Sequence, residues 1–209
     1  AEGQHAVYGN PRHRAEPPPA VVAPPKTFDI KEDFKQMGYT KWGQLSSDAK
    51  SFSQHIQSSG SFNDAIRNGQ AMYGPTNVKK VALAAINESP EIPEGMKMYR
   101  WQNIPAGMLA KLQTLQPGAV IDAMGSMCTS YHPTATKGFG PANRIVITAA
   151  KGAKAALSFG SGSFSGEKEI TTLPGVRFVF KGMKKNPGGW NEIELGMLPP
   201  DPKYLDTLK

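Results

Sequence analysis

A single cysteine, Cys128, among 209 residues excludes an internal disulfide, and four scattered histidines supply no Cys or His spacing that holds structural zinc. No apolar run reaches the ~18 residues that a membrane-spanning helix needs, and the amino-terminal segment lacks the apolar core of a signal peptide. The chain therefore reads as soluble, and as a fragment of something longer. No internal repeat is present. Glycine and proline, at 22 and 18 residues, fall short of low-complexity levels and show no collagen period, so they are expected to punctuate short strands and turns. What is there suffices for a core: 39% hydrophobic residues in a chain the length of one large domain or two small ones exclude a wholly disordered or fibrous protein. Lys plus Arg exceed Asp plus Glu by 24 to 17, a formal +7 that favours an anionic ligand, whether nucleotide, nucleic acid or acidic surface.

Up to about Lys26 the chain carries Pro11, Pro17, Pro18, Pro19, Pro24 and Pro25 with small residues between them. This composition favours extended conformations and buries little, so residues 1–27 read as a linker or leader and residues 28–209 as the folded domain. Trp42, Leu45, Ala49, Phe52 and Ile56 then recur at helical spacing, with Ser46 and Ser47 as caps. Phe62 to Arg67 starts a second helix after Ser58-Ser59-Gly60, and Val78, Val81, Ala82, Ala85 and Ile86 line a third that ends before Pro90. From Met96 onward β-prone runs take over: Met96–Trp101, Ser126–Tyr131, Arg144–Ala149, Glu167–Thr172, Val176–Phe180 and Asn191–Met197. One helix interrupts them, opening at Pro105 with Met108, Leu109, Leu112 and Leu115 on one side. Helices followed by clustered strands predict an α+β fold with an antiparallel or mixed sheet, not a Rossmann arrangement.

Three short segments can carry chemistry. In Glu167-Lys168-Glu169, delivered by the small-residue loop from Phe159 to Gly166, alternation in a strand puts both carboxylates on one face about 7 Å apart. That spacing suits glycosidic chemistry, in which one acid steadies an oxocarbenium-like centre and the other manages a proton. Taken alone, two exposed glutamates on an edge strand are the plainer reading. Arg100, in Tyr99-Arg100-Trp101 at the end of a β-run, offers a planar fork that holds two phosphate oxygens at once, although an arginine in a strand is usually just half-exposed. Cys128-Thr129-Ser130, within Gly125–Pro133, alternates small polar groups that can brace a carboxylate or a ribose, or simply pair across a sheet. Gly160-Ser-Gly-Ser lacks the following helix and distant acid of a dinucleotide fingerprint.

In this order the three segments resemble the arginine, Ser-Thr-Ser and Glu-x-Glu blocks of mono-ADP-ribosyltransferases of the cholera-toxin-like class. Trp42–Ser47 and Ile56–Arg67, including Asn63-Asp-Ala-Ile-Arg67, look like the helical region ahead of that family's arginine strand; Pro117–Phe139, Arg144–Thr148, Gly152–Ala155 and Val176–Phe180 extend the likeness to roughly residues 40–197. Two residues depart from it: Cys128 stands where the family usually has its first serine, and Trp101 where a glycine is common. No activating base lies beside Cys128, so a nucleophilic thiol is not expected.

The resemblance implies N-terminal helices packed on a split two-sheet ADP-ribosyltransferase core, NAD as co-substrate in the cleft between the sheets, and no metal. It implies that Arg100 holds the NAD phosphates, Glu169 stabilises the charge that develops as the glycosidic bond breaks, and Glu167 orients or deprotonates the nucleophile. Cys128, Thr129, Ser130 and Phe139 would line the NAD site and Phe164 would touch the acceptor. The Glu-x-Glu form points to transfer onto a protein arginine by a monomeric, secreted or delivered bacterial toxin or effector acting in a target cell's cytosol, a context in which an immunity protein fits and no membrane partner is implied. The alternatives are an NAD glycohydrolase, a transferase acting on RNA and, outside enzymes, a basic nucleic-acid or partner-binding module built on Lys181, Lys184 and Lys185. Deleting residues 1–26 is expected to leave the melting temperature and NAD cleavage almost unchanged, since the segment contributes little core; a drop of several degrees in a thermal melt would show a docked arm.

Overall fold

A computed structural model describes residue 38 and residues 41–58, 60–122, 125–135, 137–157 and 169–209. The proline-rich leader, Phe164 and Glu167 lie outside the described residues, and of Phe139 only the backbone is described. The periodic segment from Trp42 to Ile56 forms a helical turn at 41–44 and then α1 (Ser47–Ser58), not one continuous helix. The break falls at Ser46. Its hydroxyl accepts from the Ala49 amide at 3.2 Å, an N-cap, and donates to Glu88 Oε2 at 2.6 Å, while its own amide donates to Glu88 Oε1 at 2.7 Å. Glu88 ends the helix that starts at Val78, so a local cap also docks two helices.

Phe62, Ala65 and Ile66 are the buried residues of α2 (Gly60–Arg67). A short hairpin, β1 (Met72–Tyr73) and β2 (Thr76–Asn77), leads into α3 (Val78–Glu88), whose buried face is the predicted one: Val78, Val81, Ala82, Ala85 and Ile86. Asn77 caps its start by accepting from the Lys80 amide at 3.0 Å. At its far end Lys154 Nζ donates to the carbonyls of Ile86 at 2.7 Å and Asn87 at 3.3 Å, a cation placed on the negative end of the helix. These helices share a core with Phe52, Ala156, Leu173 and Leu208.

The strands are β3 (Lys97–Gln102), β4 (Val120–Asp122), β5 (Cys128–Ser130), β6 (Asn143–Ala149), β7 (Ala155–Leu157), β8 (Glu169–Thr172), β9 (Arg177–Lys185) and β10 (Asn191–Met197). They hydrogen-bond in the order β4-β9-β10-β6-β3-β5-β8-β7, and the sheet is mixed because β10 and β6 run parallel. Five strands on one side and three on the other meet at one rung, Tyr99↔Ser130, whereas β3 pairs with β6 along its whole length from Lys97 to Gln102. The main core, with Met98, Ile145, Ile147, Ile170, Phe178, Ile193 and Met197, is packed by Leu109 and Leu112 of α4 (Ala106–Thr114) and by Leu115 beyond it. Met108, 100° round the helix from Leu109, falls at the margin of that stripe and is 55% exposed. The chain closes with α5 (Pro202–Thr207), capped by Asp201.

Arg100 is the fourth of six residues in β3 and not its last, because the strand continues through Trp101 to Gln102. Trp101, where the resemblance has a glycine, keeps this strand regular and buries its indole, donating from Nε1 to the Pro133 carbonyl at 2.6 Å. Strand β9 runs five residues past the expected end at Phe180. A bulge against β10, where Glu194 faces Gly182 and Leu195 faces Phe180, absorbs Lys181 and lets pairing continue through polar residues. Among the described residues no helix is long and apolar enough to cross a membrane.

Gly140, at the end of the segment that follows β5, lies directly against backbone: a Cβ there would collide with the Asn103 amide and sit 2.9 Å from Asn103 Oδ1, whereas one at Gly138 meets nothing. Gly140→Ala is expected to cost about 1–3 kcal/mol in denaturant unfolding and Gly138→Ala a small fraction of that. Equal stability of the two variants would show that this close approach does not hold the segment in place.

Candidate active site

The joint between β3 and β5 brings together five of the sequence-derived residues, Arg100, Cys128, Thr129, Ser130 and Glu169. Arg100 is half-buried; its Nε donates to Gln102 Oε1 at 2.7 Å and its Nη1 to the Cys128 carbonyl at 2.8 Å. Gln102 lies two residues along the strand on the same face, and Cys128 opens β5, so the guanidinium braces the junction where the sheet has its narrowest connection. These two bonds use two of its five N–H donors.

The approach to β5 is pinned from both sides. Asn63 of α2 pairs through its amide with the backbone of Ser126, donating to its carbonyl at 2.8 Å and accepting from its N–H at 2.7 Å. Gly125 permits this: a Cβ there would stand 2.6 Å from Arg67 Nε and 2.8 Å from Asn63 Oδ1. On the other side the Met127 amide donates to Thr172 Oγ1 at 2.8 Å.

Strand β5 then pairs residue by residue with β8, as Cys128↔Thr171, Thr129↔Ile170 and Ser130↔Glu169. Thr129, on the opposite face from its neighbours, donates to the Ile170 carbonyl at 2.7 Å, and Ser130 Oγ accepts from the His132 amide at 3.0 Å. Both hydroxyls are buried and engaged within the protein, which is the cross-strand bracing that the sequence also allowed.

Glu169 opens β8 and is 6% exposed. Its Oε1 accepts from Thr171 Oγ1 at 3.1 Å and its Oε2 from Gln57 Nε2 of α1 at 3.5 Å. The Cys128 thiol is pushed up to about 12, first by burial, then by the Glu169 charge and by the hydrogen bond it donates to that carboxylate; Arg100 and Thr171 pull the other way without prevailing. At neutral pH it is a protonated donor and not a thiolate. Arg100, Cys128, Thr129, Ser130 and Glu169 thus share one small region. Gln57 and Thr171 are residues that the reading of the sequence did not single out. Thr171 was accessible to it, since residues two apart in a strand share a face; Gln57, 112 positions away, carried no local signal. Among the described residues no cluster of three His, Cys, Asp or Glu can hold a metal ion.

Beside the joint, the Arg144 guanidinium lies 4.8 Å from the centre of the Trp190 ring, 5.4 Å from Tyr99 and 5.7 Å from Trp101, and its Nη2 donates to Glu192 Oε2 at 2.6 Å. Lys184 pairs with the same glutamate at 3.2 Å and with Glu194 at 3.4 Å. Burial pushes the Glu192 carboxyl up, yet the bonds from Arg144 and Lys184 outweigh it and hold the group below its usual range. Lys184, one of three lysines behind the basic-module alternative, is therefore paired within the sheet.

A protonated, half-buried thiol resists alkylation. At pH 8 iodoacetamide is expected to modify Cys128 at least about tenfold more slowly in the native protein than in the urea-unfolded chain, measured by mass spectrometry; equal rates would contradict this environment.

No protein-family model matches the sequence, and no curated protein does. Solved structures do match in shape. An ADP-ribosyltransferase from Clostridium botulinum aligns at a TM-score of 0.62 over 81% of this chain and 96% of its own, with 13% identity. Exoenzyme S from Pseudomonas aeruginosa, in complex with human 14-3-3 protein beta and bound to carba-NAD, aligns at 0.58 over 80% and 84%, with 16% identity. C3stau2 from S. aureus with NAD aligns at 0.61 over 78% and 93%, with 14% identity. The chain is thus an α+β protein with the fold of the bacterial mono-ADP-ribosyltransferase toxins.

Proposed function

We propose that this protein transfers ADP-ribose from NAD to a macromolecular acceptor, a protein arginine by preference, with release of nicotinamide, and that it does so as a secreted or delivered bacterial toxin or effector. The observation that carries the reading is the meeting of Arg100, the start of β5 and a buried Glu169 at the joint of a sheet with this fold. C3stau2 and exoenzyme S, which share the fold, are complexes with NAD and carba-NAD.

The residues present fit that co-substrate. NAD supplies a glycosidic bond whose cleavage leaves positive charge on the ribose and expels nicotinamide. Arg100, already oriented by Gln102 and by the Cys128 carbonyl, has N–H donors left over for the pyrophosphate. Glu169 offers a carboxylate to a ribose hydroxyl and to the developing charge, in surroundings that screen it poorly, so the attraction is strongest where the transition state needs it. Glu167, two residues earlier, is assigned the nucleophile: a guanidinium is protonated at any ordinary pH and becomes nucleophilic only with a base beside it. Phe139 is assigned to the nicotinamide and Phe164 to the acceptor. The Glu-x-Glu pair favours arginine, and the internal pairing of Lys184 weakens the nucleic-acid alternative.

Purified protein incubated with labelled NAD and a cell lysate is expected to release nicotinamide and to label a protein band that protease destroys, nuclease leaves and neutral hydroxylamine clears. Glu169→Gln should cut nicotinamide release ~10²-fold or more, as loss of a principal electrostatic stabiliser does. Glu167→Gln should cut transfer much more than hydrolysis. Nuclease-sensitive label would replace arginine by RNA, nicotinamide release without label would make the protein a glycohydrolase, and undiminished release by Glu169→Gln would remove Glu169 from the chemistry.

A further inference from the structure

Every residue of β8 is buried, so the direction of the Glu169 carboxylate depends on the few groups that touch it. Two of them, Cys128 and Thr171, sit directly opposite one another on β5 and β8, and Gln57 approaches from a separate helix. We infer that Thr171 is the positioning residue of this site, its hydroxyl holding the Glu169 carboxylate in the direction that the chemistry requires. The inference deepens the NAD reading above and rests on it for its kinetic consequence alone.

The hydroxyl of Thr171 has one proton to give. Its two acceptors are Glu169 Oε1 at 3.1 Å and Cys128 Sγ at 4.0 Å, and the nearer one is charged and the stronger acceptor. Thr171 is fully buried, where an unbonded hydroxyl is costly, and a valine would fill a buried β position as well; the hydroxyl is retained with the carboxylate as its partner. The next residue, Thr172, spends its oxygen on the Met127 amide, so the two adjacent threonines have separate tasks. Among the described residues the remaining donors to Glu169 are weaker or longer. A thiol is a poor donor, and Gln57 Nε2 stands 3.5 Å from Oε2 and is carried by a helix that is not part of the sheet. Thr171, two residues from Glu169 on the same strand face, is held by the same ladder as the group it orients, so its bond does not depend on how α1 is placed.

The decisive variants are Thr171→Val, which removes the hydroxyl at nearly constant shape, Thr171→Ser, which keeps it, and the double variant Thr171→Val/Cys128→Ser, which supplies a hydroxyl from the opposite strand. For nicotinamide release from NAD, Thr171→Val is expected to lower kcat about 10- to 100-fold, the loss of one hydrogen bond to a charged group, with KM within about twofold. Thr171→Ser should keep most of the activity and the double variant should regain much of what Thr171→Val lost. A Thr171→Val protein with wild-type kcat, a Thr171→Ser protein as impaired as Thr171→Val, or a double variant no better than Thr171→Val would overturn the assignment. Side-chain 13C relaxation of Glu169 reads the same contact without turnover. Order lost in Thr171→Val and kept in Thr171→Ser supports the inference, and equal order in both defeats it whether or not NAD is cleaved. Wild-type protein that leaves NAD intact would refute the enzymatic reading separately, with the relaxation result still deciding the role of Thr171.

Discussion

Where β3 meets β5 the sheet is held by the Tyr99↔Ser130 rung and by the hydrogen bond from Arg100 to the Cys128 carbonyl, and the geometry of the site follows from that narrow connection. A full ladder would have used the Cys128 carbonyl for strand pairing; with a single rung it is left to accept from Arg100. The guanidinium substitutes for the missing ladder bonds on one side while retaining donors on the other. The structural task of this side chain is compatible with the phosphate-binding role proposed for it because arginine carries five donors in a fixed plane.

The same economy governs β8. Burying a carboxylate is expensive unless it is hydrogen-bonded. Glu169 is supplied with a hydroxyl, a thiol and an amide, drawn from its own strand, the neighbouring strand and α1. The helices are thus part of the site's electrostatics as well as its cover. Asn63 extends this from α2, using both faces of its amide on the Ser126 backbone, which positions β5 before the ladder to β8 begins. A methyl group at Gly125 would collide with both Arg67 and Asn63, so glycine is what lets this docking form.

On the other side of β3 the strategy differs. Arg144 is surrounded by three aromatic rings and bonded to Glu192, which Lys184 also neutralises. Its charge is balanced within the sheet, in contrast to Arg100, whose hydrogen-bond partners among the described residues are a neutral amide and a carbonyl. Two arginines in adjacent strands thus have opposite electrostatic availability, a distinction that composition and a net charge of +7 average away.

The order of elements, the buried face of α3, the α+β class and the presence of Arg100 and Glu169 on strands were legible in the sequence, because helical and strand periods and Gly or Pro punctuation act over a few neighbouring residues. Thr171 was legible by the same alternation. The hairpin β1–β2, the strand β7 and the extension of β9 past Phe180 were not, since they pair with nearer segments but are too short or too polar to carry an alternating apolar pattern. Nor were the break at Ser46 and the short strand β4, since each depends on a partner far along the chain, Glu88 for Ser46 and β9 for β4. The contacts of Gln57 and Asn63, 112 and 63 positions from what they touch, belong to the same class. Sequence by itself determined which residues carry the charges, hydroxyls and thiol that the proposed chemistry would draw on. Only the tertiary structure decided which of them meet, that Cys128 is a protonated donor, and that Thr129 and Ser130 are engaged inside the sheet, because burial and hydrogen-bond partnership are properties of neighbours in space and not of position along the chain.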